Sequence, residues 1–124
     1  MTGEPTRIEH WINALDQGSY AAYNMLGKFI PYGNTPFFWT RHYNKSIQYI
    51  GHAPVYDSVH VEGSIENNKF IAYYIKDNKV LAIAGQDKGA DMLTMFEAFN
   101  QNKMPPAEQI TSGAVTPETL RKDL

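Results

Sequence analysis

Asp57 and Glu62 lie near His60 in the sequence, a set of residue types that could form an acid–base group. Alternate residues of an extended strand share a face, so His60 and Glu62 would stand side by side, where a carboxylate can hold an imidazole as a general base. The surrounding pattern has a plainer reading. Val59, Val61 and Ile65 alternate with Ser58, His60, Glu62 and Ser64, as in an ordinary strand with one wet, polar face. The other histidines, His10, His42 and His52, complete no HExxH or similar metal-ligand spacing with His60, and each reads as a surface or strand histidine. Neither GxGxxG nor the Walker pattern occurs, so no glycine-rich turn offers backbone N–H groups to phosphates, and nucleotide binding by this chain alone is not expected. The GxSxG elbow is absent too. With no cysteine, the chain has no disulfide scaffold, thiolate zinc site, cysteine-ligated iron–sulfur cluster or cysteine nucleophile.

Aromatic side chains are the richer resource, with eight tyrosines, six phenylalanines and two tryptophans. Phe70, Tyr73, Tyr74, Phe96 and Phe99 fall at core spacing and read as packing. Tyr32, Phe37, Phe38 and Trp39 crowd a proline- and glycine-framed approach to the first strand. They predict an exposed aromatic wall.

These residues need elements to position them. Apolar residues at Ile8, Trp11, Ile12, Leu15, Ala22, Met25 and Leu26 have helical spacing, with Gly18 and Ser19 in inward slots, and predict one helix over residues 8–26. Gly27 supplies a left-handed cap, and Pro31, Gly33 and Pro36 keep the next stretch irregular. From Phe37 the period changes to two, giving five strands over residues 37–43, 46–53, 58–65, 69–76 and 79–85. Short Asn- and Asp-bearing connections make consecutive strands antiparallel hairpins, hence a meander. The fourth and fifth strands are apolar on both sides, as in central strands covered on both faces. Met92, Leu93, Met95, Phe96 and Phe99 then predict a helix over 89–101 that lies on the sheet. Pro105-Pro106 ends it, a turn follows at 107–110, and Thr116-Pro117-Glu118 opens a short terminal helix reaching about Lys122.

The 124 residues, 43% hydrophobic, suit one compact domain with attachments. Eleven scattered basic residues against thirteen acidic ones leave no electrostatic footprint for nucleic acid or an anionic membrane, so neither is an expected partner. No apolar stretch is long enough for a membrane span. The absence of cysteine is compatible with a reducing compartment, cytoplasm or mitochondrion.

Arg7-Ile8-Glu9-His10-Trp11, Ala14, Gln17-Gly18, Ala21-Ala22, Asn24-Met25-Leu26-Gly27 and Pro36-Phe37-Phe38-Trp39-Thr40 also carry a resemblance. Together they resemble the C-terminal part of apoptosis-inducing factor-like and ferredoxin reductase-like flavoproteins of the pyridine nucleotide-disulfide oxidoreductase superfamily. The likeness runs from about Arg7 to Phe99. It implies that residues 1–35 are the last helix and linker of an FAD-binding domain, 36–104 a C-terminal reductase domain, and 105–124 a tail. It further implies that Glu9, His10 and Trp11 sit beside FAD, where a helix N-terminus favours charge on a reduced flavin, and that Trp39 approaches the isoalloxazine or nicotinamide face. The implied parent passes electrons from NAD(P)H through FAD to an acceptor such as an iron–sulfur protein. Both dinucleotide domains would then lie upstream of this chain. No long insertion separates the last strand from the next helix, which favours the ferredoxin reductase-like branch.

The sequence therefore predicts an α+β fold, a five-stranded antiparallel sheet covered by a C-terminal helix and preceded by a helix from an FAD domain. Its role is to close a flavin site and to contribute to dimerisation or acceptor docking, without being catalytic alone. The rival reading is a non-catalytic interaction or homodimerisation module.

Overall fold

Antiparallel pairing joins all five strands of the computed structural model, which describes residues 5–124. The elements are α1 (Trp11–Met25), β1 (Phe37–His42), β2 (Lys45–Gly51), β3 (Ser58–Ser64), β4 (Lys69–Lys76), β5 (Lys79–Gln86), α2 (Gly89–Asn100), α3 (Ala107–Thr111) and α4 (Pro117–Leu120). The predicted α+β class is what forms. The strand order is β1-β2-β5-β4-β3, so the sheet is not the simple meander expected from the short loops. Two hairpin groups, β1-β2 and β3-β4-β5, join where β2 pairs with β5. The linking segment contains Pro54, which cannot donate to a ladder, and it carries the chain to the far edge of the sheet.

Local chemistry explains the turns. Asp77 and Asn78, between β4 and β5, both take positive φ (49° and 59°), the mirror-type hairpin turn that short polar side chains tolerate. Gly27 ends α1 at φ 78°, with its N–H donating to the Asn24 carbonyl at 3.0 Å. Thr116 caps α4 in a reciprocal box with Thr119, and Pro117 occupies the first turn.

One face of the sheet carries the core. Ile50, Ile71, Tyr73 and Ile83 are fully buried and form a single cluster with Met92 and Met95 of α2, Ile110 of α3 and Leu120 of α4. Arg121 fastens the last turn to α2, donating from Nε to Thr94 Oγ1 at 2.9 Å and pairing with Asp91 at 3.2 Å.

The second face departs from expectation. β4 and β5 are apolar on both sides, yet the core helices all pack on one of them. The other face is shielded by its own Tyr49 and Tyr74, by Tyr56 of the β2–β3 linker and by His10 stacked on Phe38, and it leaves Ile47, Val59 and Val61 exposed. The predicted wet and dry sides of β3 are accordingly exchanged. Val59 and Val61 lie on the uncovered face, whereas His60 and Glu62 turn toward the covered one, half-buried, and Glu62 accepts a hydrogen bond from the Tyr73 hydroxyl at 3.2 Å. A buried phenol needs a partner, and this edge carboxylate supplies it.

Candidate functional site

His10 is the residue from which α1 starts. It is extended (φ −134°) and its carbonyl accepts the first helical bond from Ala14 at 3.0 Å. The expected helix start at Ile8 is thus three residues early, and Glu9 and His10 precede the helix. No side chain caps this end and the first turn holds no acidic residue, so the amides of Trp11, Ile12 and Asn13 remain as donors without helical partners. Arg7 pairs with the exposed Glu9 at 2.9 Å, a surface contact of little energetic weight.

Only part of the periodic apolar stripe of α1 is covered within this chain, Ile8 and Ile12 being half-buried. Trp11, Leu15, Met25 and Leu26, read as the inward stripe, are exposed, Trp11 by 70% and Met25 by 83%. Gly18 meets nothing within 4 Å of an added Cβ, so the slot thought to accept a close neighbour stands open. The face that is held belongs to Asn13, Asp16, Tyr20 and Asn24. Asn13 Oδ1 accepts from the Tyr32 hydroxyl at 2.6 Å, Asn34 donates to Asp16 at 3.1 Å, Tyr20 donates to Asn34 at 3.0 Å, and Asn24 donates to the Ile30 carbonyl at 3.0 Å. Tyr20 and Tyr32 add an edge-to-face contact at 5.1 Å. The linker after α1 therefore straps the polar side of the helix. Burial, then the nearby Asp16 and Tyr20, push the Tyr32 phenol above its ordinary value.

Between this strap, β1 and α2 lies a groove of about 430 Å³ reached by His10, Asn13, Tyr32, Phe37, Phe38 and Phe96. His10 stacks on Phe38 at 5.0 Å, and Phe37 packs on Phe96 at 5.2 Å. The predicted aromatic wall is not one surface. Phe37 and Trp39 lie on the covered side of the sheet and Phe38 on the other, because strand residues alternate. Tyr32 is tied to Asn13, Phe37 and Phe38 are half-buried, and Trp39 alone of the four is exposed, by 54%, beside Phe37 at 5.9 Å. Of the four predicted site residues His10 lines the groove, whereas Glu9, Trp11 and Trp39 lie outside it. The sequence reading overlooked Asn13, whose burial and double hydrogen bonding, to Tyr32 and to the Ile8 carbonyl at 3.3 Å, anchor the groove wall. A lone polar residue between Ile12 and Ala14 was its only trace. Among the described residues no group of three His, Asp or Glu is placed to hold a metal ion, and no helix is long and apolar enough to cross a membrane.

The family described as reductase C-terminal matches residues 37–120. The chain belongs to this reductase C-terminal family. Apoptosis-inducing factor 3 of Mus musculus is 38% identical over 103 residues, covering 78% of this chain and 17% of that protein. Putidaredoxin reductase CamA of Pseudomonas putida is 31% identical over 97 residues, again 78% of this chain and 21% of that protein. The reductase C-terminal chain thus spans about a fifth of the length of these curated relatives. Among solved structures, the ferredoxin reductase for the CYP199A2 system from Rhodopseudomonas palustris superposes with a TM-score of 0.81 at 28% identity, over 98% of this chain and 29% of that one. The covalent putidaredoxin reductase–putidaredoxin complex gives a TM-score of 0.82 at 22% identity, over 95% and 28%, and so shares the fold.

Proposed function

We propose that this chain is the closing segment of an NAD(P)H-dependent FAD oxidoreductase of the ferredoxin reductase type, with the FAD and NAD(P) domains supplied by the upstream part of the same parent. The observation that carries this reading is α1. Its polar face is satisfied within the chain, while the stripe of Trp11, Leu15, Met25 and Leu26 is left to water. Exposed apolar area of this kind marks a surface built to be covered.

The uncapped helix start fits a flavin. Free N–H groups of Trp11, Ile12 and Asn13 and the positive dipole end favour the negative charge that a reduced isoalloxazine carries. FAD, when bound in the parent, supplies hydride acceptance from NAD(P)H and onward transfer of electrons. The residues of this chain bind and shape. Arg7 offsets the Glu9 carboxylate beside the cofactor, and Phe38 fixes the His10 ring by stacking. Trp39 presents a flat, partly exposed ring that excludes water from the reacting faces. In this reading residues 1–35 finish the FAD domain, 36–104 form the reductase C-terminal domain and 105–124 the tail. The acceptor is a ferredoxin-type iron–sulfur protein, in keeping with the relatives named as ferredoxin reductases and with the putidaredoxin complex. Acceptor docking or dimerisation would draw on the surfaces this chain leaves open.

The test is reconstitution. The chain is mixed with the separately expressed upstream portion of its parent, and FAD fluorescence and NADH oxidation are followed. Turnover appearing only on mixing and falling by about tenfold or more with Trp39→Ala is expected, since stacking and water exclusion are each of that order. Turnover by the upstream portion alone at the mixed rate would overturn the reading.

A further inference from the structure

We propose that the β1–β2 hairpin end of the uncovered sheet face is a binding site for a small carboxylate with an apolar body. The register sets Thr40, Ile47, Gln86 and Phe70 in one row across β1, β2, β5 and β4. Gln86 is thereby enclosed between two large apolar neighbours and is only 8% exposed. Among the described residues its side-chain amide makes no hydrogen bond, and none of their fully buried side-chain polar atoms is left without a partner, so the amide keeps an opening. That opening is a concavity of about 350 Å³ lined by Thr40, His42, Tyr43, Lys45, Ile47 and Gln86, with Asn68 at its side.

A buried amide without a protein partner is uncommon and calls for a ligand or water group to complete it. The lining specifies which. Lys45 Nζ spends one donor on Asn68 Oδ1 at 3.0 Å and retains two others. The Gln86 amide and the Thr40 hydroxyl add neutral donors, and no acidic side chain lines the space. One cation with neutral donors matches a single negative charge spread over two oxygens, and not a dianionic phosphate. Ile47, 41% exposed, and Tyr43 at the rim offer contact for an apolar body. Tyr43 is held at φ 48°, a position where glycine or asparagine is the ordinary choice, so its ring is presented at a conformational cost.

Benzoate is the probe, titrated into the isotope-labelled 124-residue chain while the Gln86 side-chain amide resonances are followed. Saturable shifts are expected, with benzyl alcohol, which lacks the charge, and acetate, which lacks the body, each weaker by about tenfold or more. Lys45→Met, a change at an exposed hairpin position, should weaken benzoate by about tenfold as well. The absence of saturation, or equal shifts with benzyl alcohol, or benzoate binding unchanged by Lys45→Met, would overturn the proposal.

Discussion

The Tyr32 hydroxyl donates to Asn13 Oδ1 at 2.6 Å, joining the linker to a residue of α1 that is otherwise buried. This bond is one of four hydrogen bonds that hold the polar side of α1 toward the linker. With Asn13 turned toward Tyr32, Asp16, Tyr20 and Asn24 follow along the same side, and the apolar stripe beginning at Trp11 must face away.

Tyr32→Phe leaves Asn13 Oδ1 buried without its donor, at a cost of about 1–3 kcal/mol. Because α1 packs on little else, the loss should be local. Amide hydrogen exchange is expected to quicken along α1 and remain unchanged in β4 and β5.

Gly85 faces α2 so closely that an added Cβ would run into the buried side chain of Met92. Gly85→Ala should therefore destabilise the chain by about 1–3 kcal/mol through overpacking. Adding Met92→Ala removes the obstructing side chain, and the double variant should be less destabilised than the sum of the two single changes in denaturant unfolding.

Burial above all, and then the Glu62 carboxylate, push the Tyr73 phenol upward from its ordinary value of 10.0. The unfolded chain releases this proton first, so the stabilisation is fully present below about pH 10 and is lost as pH rises beyond it. The unfolding free energy from urea titrations of the wild-type chain should fall more steeply above that pH than that of Tyr73→Phe, by up to about 1.4 kcal/mol per pH unit. Tyr32 and Tyr49, both also raised by burial, leave a residual slope in the variant.

The sheet was legible because its strands carry strong local signals: Asn67-Asn68 and Asp77-Asn78 mark turns, and Phe70 to Ile75 is an unbroken apolar, β-branched and aromatic run. Its order was not, because pairing of Ile50 with Ile83 across distant strands leaves no trace in local periodicity. Periodicity likewise found α1 and its apolar stripe, but not the polar face that this chain itself holds. Apolar spacing reports that a stripe is to be covered, and Trp11, Leu15 and Met25 are not covered by this chain. The hydrogen bonds of Asn13, Asp16 and Tyr20 to residues 32–34 depend on where an irregular linker returns, which spacing does not encode. The flavin-side roles of Glu9, His10, Trp11 and Trp39 rest on the resemblance; the structure places His10 on the groove and leaves Trp39 exposed.

The claim that α1 is the contact to an upstream flavin domain is tested most directly by calorimetric titration of this chain with that portion of its parent, in the presence of FAD. Leu15 is 57% exposed, so Leu15→Asp leaves the fold of this chain intact and changes only the open stripe. The account predicts a complex with the wild-type chain and affinity weakened by about tenfold or more in the variant. No complex with the wild type, or equal affinity for both, would contradict it.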